Sequence, residues 1–237
     1  MTDKSSKPQV VVSIINNMPF IQTAFFESII PLMFESAKTM DIAWLNHKAF
    51  PVDFARNQVA KGFLENPKYK DMEWLFFMDI DMTFPVNTLK VLMDDAIKND
   101  RKVVSGVYFK RNLMNEVVGW KYDYNHIIVE PVLDGSVQEV EIIGMGCALI
   151  HRSVLEKIGY PWFQYGALHE NLETVSTEDI HLCVRCRELG IPIYMNTAVT
   201  CGHIMSIENV QGQIKVISLT DKESKGTLED SKTIQTS

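Results

Sequence analysis

A chain of 237 residues with a net charge of −7, 46% hydrophobic and 22% charged residues has the profile of one large α/β domain or two small ones. At that length folding buries roughly 70% of the extended chain's surface, enough for a core without disulfides or metal staples, and the composition excludes disordered, fibrous and collagenous chains. The acidic balance argues against a long polyanion groove.

No run reaches about 18 apolar residues, so no membrane-spanning helix is expected. The polar start, residues 1–9, carries no apolar secretory core. The four cysteines suit a reduced, cytoplasmic protein at least as well as a disulfide framework. A soluble cytoplasmic protein is the expectation.

Val10-Val11-Val12-Ser13-Ile14-Ile15 is β-branched and nearly continuous, the mark of a buried strand, and Asn16-Asn17-Met18-Pro19 ends it. A helix follows over about 21–39, with Pro31 predicting a kink or two pieces. Residues 42–45 form a short strand, and a helix starts near Asp53. Trp74-Leu75-Phe76-Phe77-Met78 is a fully buried strand that runs into Asp79-Ile80-Asp81. A helix over about 86–98 and a strand over 103–108 complete an alternation that predicts a mostly parallel sheet covered by helices. From Val117 to Ile143, β-formers and turn residues predict antiparallel strands. After Gly144-Met145-Gly146 come an apolar strand, a short helix at 153–158, a helix over about 177–189 and a last core strand at 191–194. One further strand is expected within 214–219. Beyond residue 220 the chain is polar and reads as a flexible tail.

Asp79 and Asp81 fall at the carboxyl end of a buried strand, where open parallel sheets bind ligands. Two residues apart, they share a side if the extended geometry continues. Such a pair attracts Mg²⁺ or Mn²⁺, ions that commonly bridge substrate phosphates; the alternative is a polar turn ending a strand. Arg56 and Asn57 open a helix and offer donors for phosphate or base edges, or simply a solvated helix start. Gly144 and Gly146 permit close approach of a ligand, or mark a bulge. Glu178 and Asp179 sit in a first helical turn, as dipole complements or as a general base. His203 is a structural histidine or a third metal ligand. Cys183 and Cys186 with Cys201 and His203 can be written as a zinc site, although both cysteines of the first pair lie in a helical apolar pattern.

In order, Ala55-Arg56-Asn57, Phe77-Met78-Asp79-Ile80-Asp81, the run from Gly144 to Arg152 and the run from Thr177 to Tyr194 ending at Gly202-His203 resemble the family 2 glycosyltransferases and their relatives with the A-type (GT-A) fold. The resemblance implies a single domain over 1–220, with a Rossmann-like nucleotide-binding half at about 8–108. A smaller antiparallel acceptor-side sheet would lie in the half at about 109–220. It implies a sugar moved from a nucleoside-diphosphate sugar to a hydroxyl, and Mn²⁺ or Mg²⁺ held by Asp79, Asp81 and His203. Arg56, Asn57, Asp79, Asn16 and Gly146 would lie on the donor. Asp179, with Glu178 beside it, would be the base of an inverting reaction. The acceptor stays open: a glycan, a small molecule or a modified nucleic-acid base near Lys110, Arg111 and Lys121. Trp120, Tyr122, Tyr124, Trp162, Phe163 and Tyr165 are candidate stacking walls. The rival functions are a nucleotidyltransferase and a non-catalytic nucleotide- or zinc-binding interaction domain.

Overall fold

The computed structural model describes residues 7–15, 21–48, 50–111, 116–122, 125, 127–166, 176–204, 208–210 and 213–215. The first half alternates as its hydrophobic pattern demands: β1 (Gln9–Ile15), α1 (Thr23–Ser36), β2 (Asp41–Trp44), α2 (Val52–Glu65), β3 (Trp74–Asp79), β4 (Met82–Thr83), α3 (Thr88–Lys98) and β5 (Val103–Val107). The second half supplies β6 (Gly119–Tyr122), β7 (Ile128–Val129), β8 (Val137–Val140), β9 (Ile142–Ile143), β10 (Cys147–His151), α4 (Arg152–Ile158), α5 (Glu178–Glu188), β11 (Ile193–Thr200) and β12 (Gly202–His203). A hairpin of β13 (Glu208–Val210) and β14 (Gln213–Lys215) follows; the rest of the strand expected at 214–219 and the polar tail lie outside the described residues.

Seven strands form the central sheet in the order β2-β1-β3-β10-β5-β11-β8. Strands β2, β1, β3, β5 and β11 share one direction, while β10 and β8 oppose them. The apolar runs are explained by burial on both faces: Val10, Val11 and Val12 are sealed, as are Leu75, Phe76, Phe77 and Met78. Helices α2, α4 and α5 bury one face and α1 and α3 the other. Strands β6, β7 and β9 make the expected small antiparallel sheet. Among the described residues, no helix is long and apolar enough to cross a membrane.

Two expectations are corrected, and one strand takes a direction that the sequence left open. Helix α1 is one element rather than two, with Pro31 inside it. Pro31 and Glu27, whose carbonyl loses its helical partner, both lie on the exposed side, where the carbonyl is open to solvent. Strand β10, whose sequence Cys-Ala-Leu-Ile-His resembles any buried parallel strand, runs antiparallel between β3 and β5. Strand β11 reaches Thr200, six residues past the expected end, because its polar Asn196 and Thr197 are buried. A register shift against β5 between Asn196 and Thr200 then delivers the chain to β12, which pairs with β4 so that His203 lies opposite Met82.

Arg152 locks the lower face. Its guanidinium donates to the carbonyl oxygens of Met72 at 2.8 Å, Phe63 at 2.9 Å, Tyr69 at 2.5 Å and Leu64 at 3.4 Å, and it lies 4.2 Å over the Phe63 ring. These include the last orphan carbonyls of α2. Replacing Arg152 by Ala strands them, and a loss of about 2–4 kcal/mol is expected in urea unfolding. A loss below about 0.5 kcal/mol would show that water takes over the carbonyls.

Candidate functional site

The site collects at the carboxyl end of β3. Its deepest group is Arg56, on the first turns of α2 and only 3% exposed. One guanidinium nitrogen reaches both oxygens of Asp79 at 3.0 Å, and another meets Glu178 Oε1 at 2.5 Å. One side chain thus joins α2, β3 and α5. Burial pushes Asp79 up, with Arg56 pulling against it, and burial likewise pushes Glu178 up against the same guanidinium. Asn57, also buried, is spent on the loop after α4: its oxygen accepts from the backbone N–H groups of Trp162 and Phe163, and its amide donates to the Phe163 carbonyl. Arg56 and Asn57, two of the residues expected on the donor, thus spend these hydrogen bonds on the protein itself.

Asp81 turns elsewhere. The strand stops at Asp79, and Ile80 and Asp81 form a turn before β4, so the two aspartates do not share the side that a continued strand would give them. Asp81 Oδ2 lies 3.0 Å from Arg111 and 3.5 Å from His203 Nε2. Burial acts to raise Asp81, but the hydrogen bond and charge of His203, then Arg111, outweigh it and hold its pKa below the ordinary value. His203 Nδ1 sits 2.7 Å from the Phe109 carbonyl. A carbonyl only accepts, so Nδ1 carries a proton and Nε2 is the nitrogen that faces the carboxylate. With a proton on Nε2 the two form an ion pair; without it, the imidazole and carboxylate are two groups able to share a cation. Adjacent ligands on Mg²⁺, each about 2.1 Å from the ion, lie about 3 Å apart, close to the spacing here. The backbone bond on Nδ1 is the outer support that orients metal-ligating histidines. Among the described residues no three His, Cys, Asp or Glu side chains converge as a complete metal site. Asp81 and His203 stand together, while Asp79 is held by Arg56.

Asp179 is half-buried at the start of α5. Its Oδ1 accepts from the Thr177 hydroxyl and from the Ile180 N–H, which fixes the carboxylate while Oδ2 has no bond among the described residues. Glu178, by contrast, is buried in its ion pair. Of the two acids, Asp179 is the one a substrate can reach.

Gly146 donates its N–H to the Tyr108 hydroxyl at 3.2 Å, and its carbonyl accepts from Asp79 at 3.2 Å. A Cβ at Gly146 would lie 3.3 Å from Asp79 Oδ2 and 3.3 Å from the Tyr108 oxygen. A Cβ at Gly144 would lie 1.9 Å from that same oxygen, so the glycines admit the phenol. Tyr108 was read from the sequence only as the end of a strand. Its place at the carboxyl end of β5 was the available signal, by the rule that flagged Asp79. Arg111 and Thr177 also emerge only from the geometry.

The remaining expectations sort by burial. Cys183 and Cys186 are sealed in the core and burial pushes both thiols up, Cys186 to about 12; they lie in the cluster on one face of the sheet with Ile143, and Cys201 in the cluster on the other face. Trp162 and Phe163 are core residues, Trp120 packs partly against the core, and Tyr165 is exposed. Lys110 pairs with Glu116 and Arg111 with Asp81, so no free cluster forms there. Asn16 and Tyr124 lie outside the described residues.

No protein-family model matches the chain, and no curated protein matches its sequence. Solved structures do. A197 from STIV is 19% identical, with 88% of this chain and 90% of that one covered at a TM-score of 0.55. GalNAc-T7, crystallised with UDP, GalNAc and Mn²⁺, is 13% identical at a TM-score of 0.51. The match covers 89% of this chain but only 45% of GalNAc-T7. These likenesses establish the fold, which is GT-A-like.

The Arg56 pairing carries a pH signature. Asp79 and Glu178 have folded pKa values above their unfolded ones, so they favour the fold most at low pH and lose that contribution as pH rises through the raised values. Asp81, held low, does the opposite: its contribution is present above the ordinary carboxylate range and lost as pH falls. Arg56→Gln leaves one buried carboxylate, Glu178, and one half-buried, Asp79, uncompensated. A deficit of about 3–5 kcal/mol at pH 7 is expected, shrinking markedly at pH 4 as both acids take up protons. An equal deficit in urea unfolding at the two pH values would contradict this.

Proposed function

We propose that this protein is a metal-dependent glycosyltransferase that moves a single sugar from a nucleoside-diphosphate sugar to a hydroxyl acceptor, with inversion. The observation that carries the reading is the Arg56 bridge at the carboxyl end of β3, which joins Asp79 to Glu178 in a GT-A-like sheet, with Asp179 next in sequence to Glu178 and Asp81, paired with His203, two residues past Asp79. Charge supports it. Asp79, Asp81, Glu178 and Asp179 against Arg56 and Arg111 leave two negative charges, the complement of one divalent ion.

Asp81 and His203 would hold the ion, and the mixed oxygen and imidazole set favours Mn²⁺ over Mg²⁺. When bound, the ion neutralises charge developing on the departing diphosphate. Two protein ligands suit such a site, since substrate phosphates commonly complete the shell of these ions. Arg111, half exposed beside Asp81, is positioned to take part in the same neutralisation. Asp179 receives the acceptor's hydroxyl proton as its oxygen forms a bond to the anomeric carbon and the bond from that carbon to the phosphate oxygen breaks. Thr177, by holding Oδ1, keeps Oδ2 turned to the acceptor. Arg56 fixes Asp79 and Glu178, so neither competes for the proton. Positioning of donor against acceptor supplies much of the remaining rate.

Thermal unfolding with UDP, GDP, TDP, CDP and ADP, each with Mn²⁺ and with EDTA, tests the reading. One nucleotide at a hundred times its dissociation constant should stabilise the protein by about 2.7 kcal/mol, and EDTA or Asp81→Asn should abolish the shift. No shift with any nucleotide would favour a non-catalytic module. Asp179→Asn should keep nucleotide binding while sugar transfer falls about 10²- to 10⁴-fold; unchanged transfer would remove Asp179 as the base.

A further inference from the structure

Helix α1 is apolar on more sides than its own fold uses. Phe25, Ile29 and Leu32 are buried against the sheet. On the outward side Phe26, Ile30 and Phe34 are 54%, 38% and 75% exposed. Their spacing of four residues sets them on one ridge of the helix. The same ridge continues to Gln22 before the helix and to Lys38 after it. An apolar centre with polar ends is the layout of a contact surface. A helix that is apolar all round belongs in an interior, and one side of this one faces water. At about 200 Å² for a whole large side chain, the three present roughly 300 Å², the size at which a patch on a monomer is often functional.

We infer that this face pairs α1 with α1 of a second copy of the chain, antiparallel about a two-fold axis at Ile30. The ridge is self-complementary under that symmetry. Ile30 meets Ile30, and Phe26 of each copy lies beside Phe34 of the other, because the two stand four residues either side of the centre. Lys38 then faces Gln22. A parallel pair would instead set Lys38 against Lys38, and like charges facing each other are unfavourable. Ridges of this spacing interlock at about −50°, the commonest helix crossing. Such an isologous contact closes on itself as a dimer. Burying both ridges with their flanks, Thr23, Met33 and Ala37, removes about 1,000 Å², the low end for a specific interface, so association in the micromolar range is expected. An anionic lipid surface is a poorer match. The charges on α1 and its last turn are Glu27, Glu35 and Lys38, not the basic set that such a surface attracts.

Sedimentation equilibrium of the full chain, without nucleotide or metal, tests this from micromolar to near-millimolar concentration. The wild type should pass from monomer to dimer. Phe34→Glu, at the most exposed of the three positions, should weaken association at least about tenfold while leaving the urea midpoint unchanged. Phe26→Glu should do the same. Cross-linking fixes the geometry. In oxidised glutathione Ile30→Cys should join two chains by a disulfide at the axis, whereas Phe34→Cys, which lies beside Phe26, should not. The native cysteines are buried, so the wild type is the blank. A monomer at every concentration overturns the inference, as does association untouched by both Glu variants. Cross-linking of Phe34→Cys without that of Ile30→Cys overturns the antiparallel pairing. Cosedimentation with vesicles of phosphatidylserine and phosphatidylcholine, abolished by Phe34→Glu, would assign the face to lipid and overturn the dimer. None of these readouts involves the nucleotide site, so the proposed function stands or falls separately.

Discussion

The arrangement of this site depends on one buried cation. Arg56 ties together three elements whose residues are 23 and 122 positions apart in sequence, and it does so where a guanidinium is almost fully removed from water. A buried ion pair of this kind gives little net stability, because desolvation offsets the attraction. Its value lies in what it fixes. The bidentate hold on Asp79 sets the end of β3, the bond to Glu178 sets the start of α5, and the distance between those elements decides where Asp179 stands. The pairing also divides the site. One half is pinned by Arg56, a single positive charge against the two carboxylates of Asp79 and Glu178, while Asp81 is held from the other side by Arg111 and His203.

That division explains why the two aspartates of Asp79-Ile80-Asp81 have different fates although they are two residues apart. A strand that continued would set both on one side. The turn at Ile80 and Asp81 rotates the second carboxylate toward β12, and the register shift in β11 brings His203 to meet it. Neither the turn nor the shift alone makes the pair. The Phe109 carbonyl completes it by fixing a proton on Nδ1, which turns Nε2 toward the carboxylate.

Much of this was legible in the sequence, and the limits have physical causes. Buried parallel strands are written as continuous apolar runs, so β1, β3 and β5 could be read directly, and strand ends pointed to Asp79, Asp81 and the loop before β10. The direction of β10 could not be read, because four apolar residues sealed on both faces look the same either way. The length of β11 was hidden by Asn196 and Thr197, polar residues whose burial depends on bonds to distant backbone, such as Thr197 to Ser136. The roles of Arg56 and Asn57 were ambiguous for a related reason. A guanidinium suits a phosphate or a carboxylate equally, and only the fold decides which one it meets.

The antiparallel placement of β10 is the step that brings Gly146 between Asp79 and Tyr108. Cys147 pairs with Met78 and His151 with Trp74, so the amino end of β10 lies beside the carboxyl end of β3. Against β5, Ala148 pairs with Ser105 and Ile150 with Val103, which sets the same end of β10 beside Tyr108. A parallel strand here would present His151 and the start of α4 to the site instead. Reversed, it presents Gly144-Met145-Gly146, and two glycines between two carboxyl-terminal strand ends leave room for a phenol from one and a carboxylate from the other. The glycines are therefore a consequence of strand direction: the closer the amino end of β10 is carried to Asp79 and Tyr108, the less a Cβ can be accommodated there.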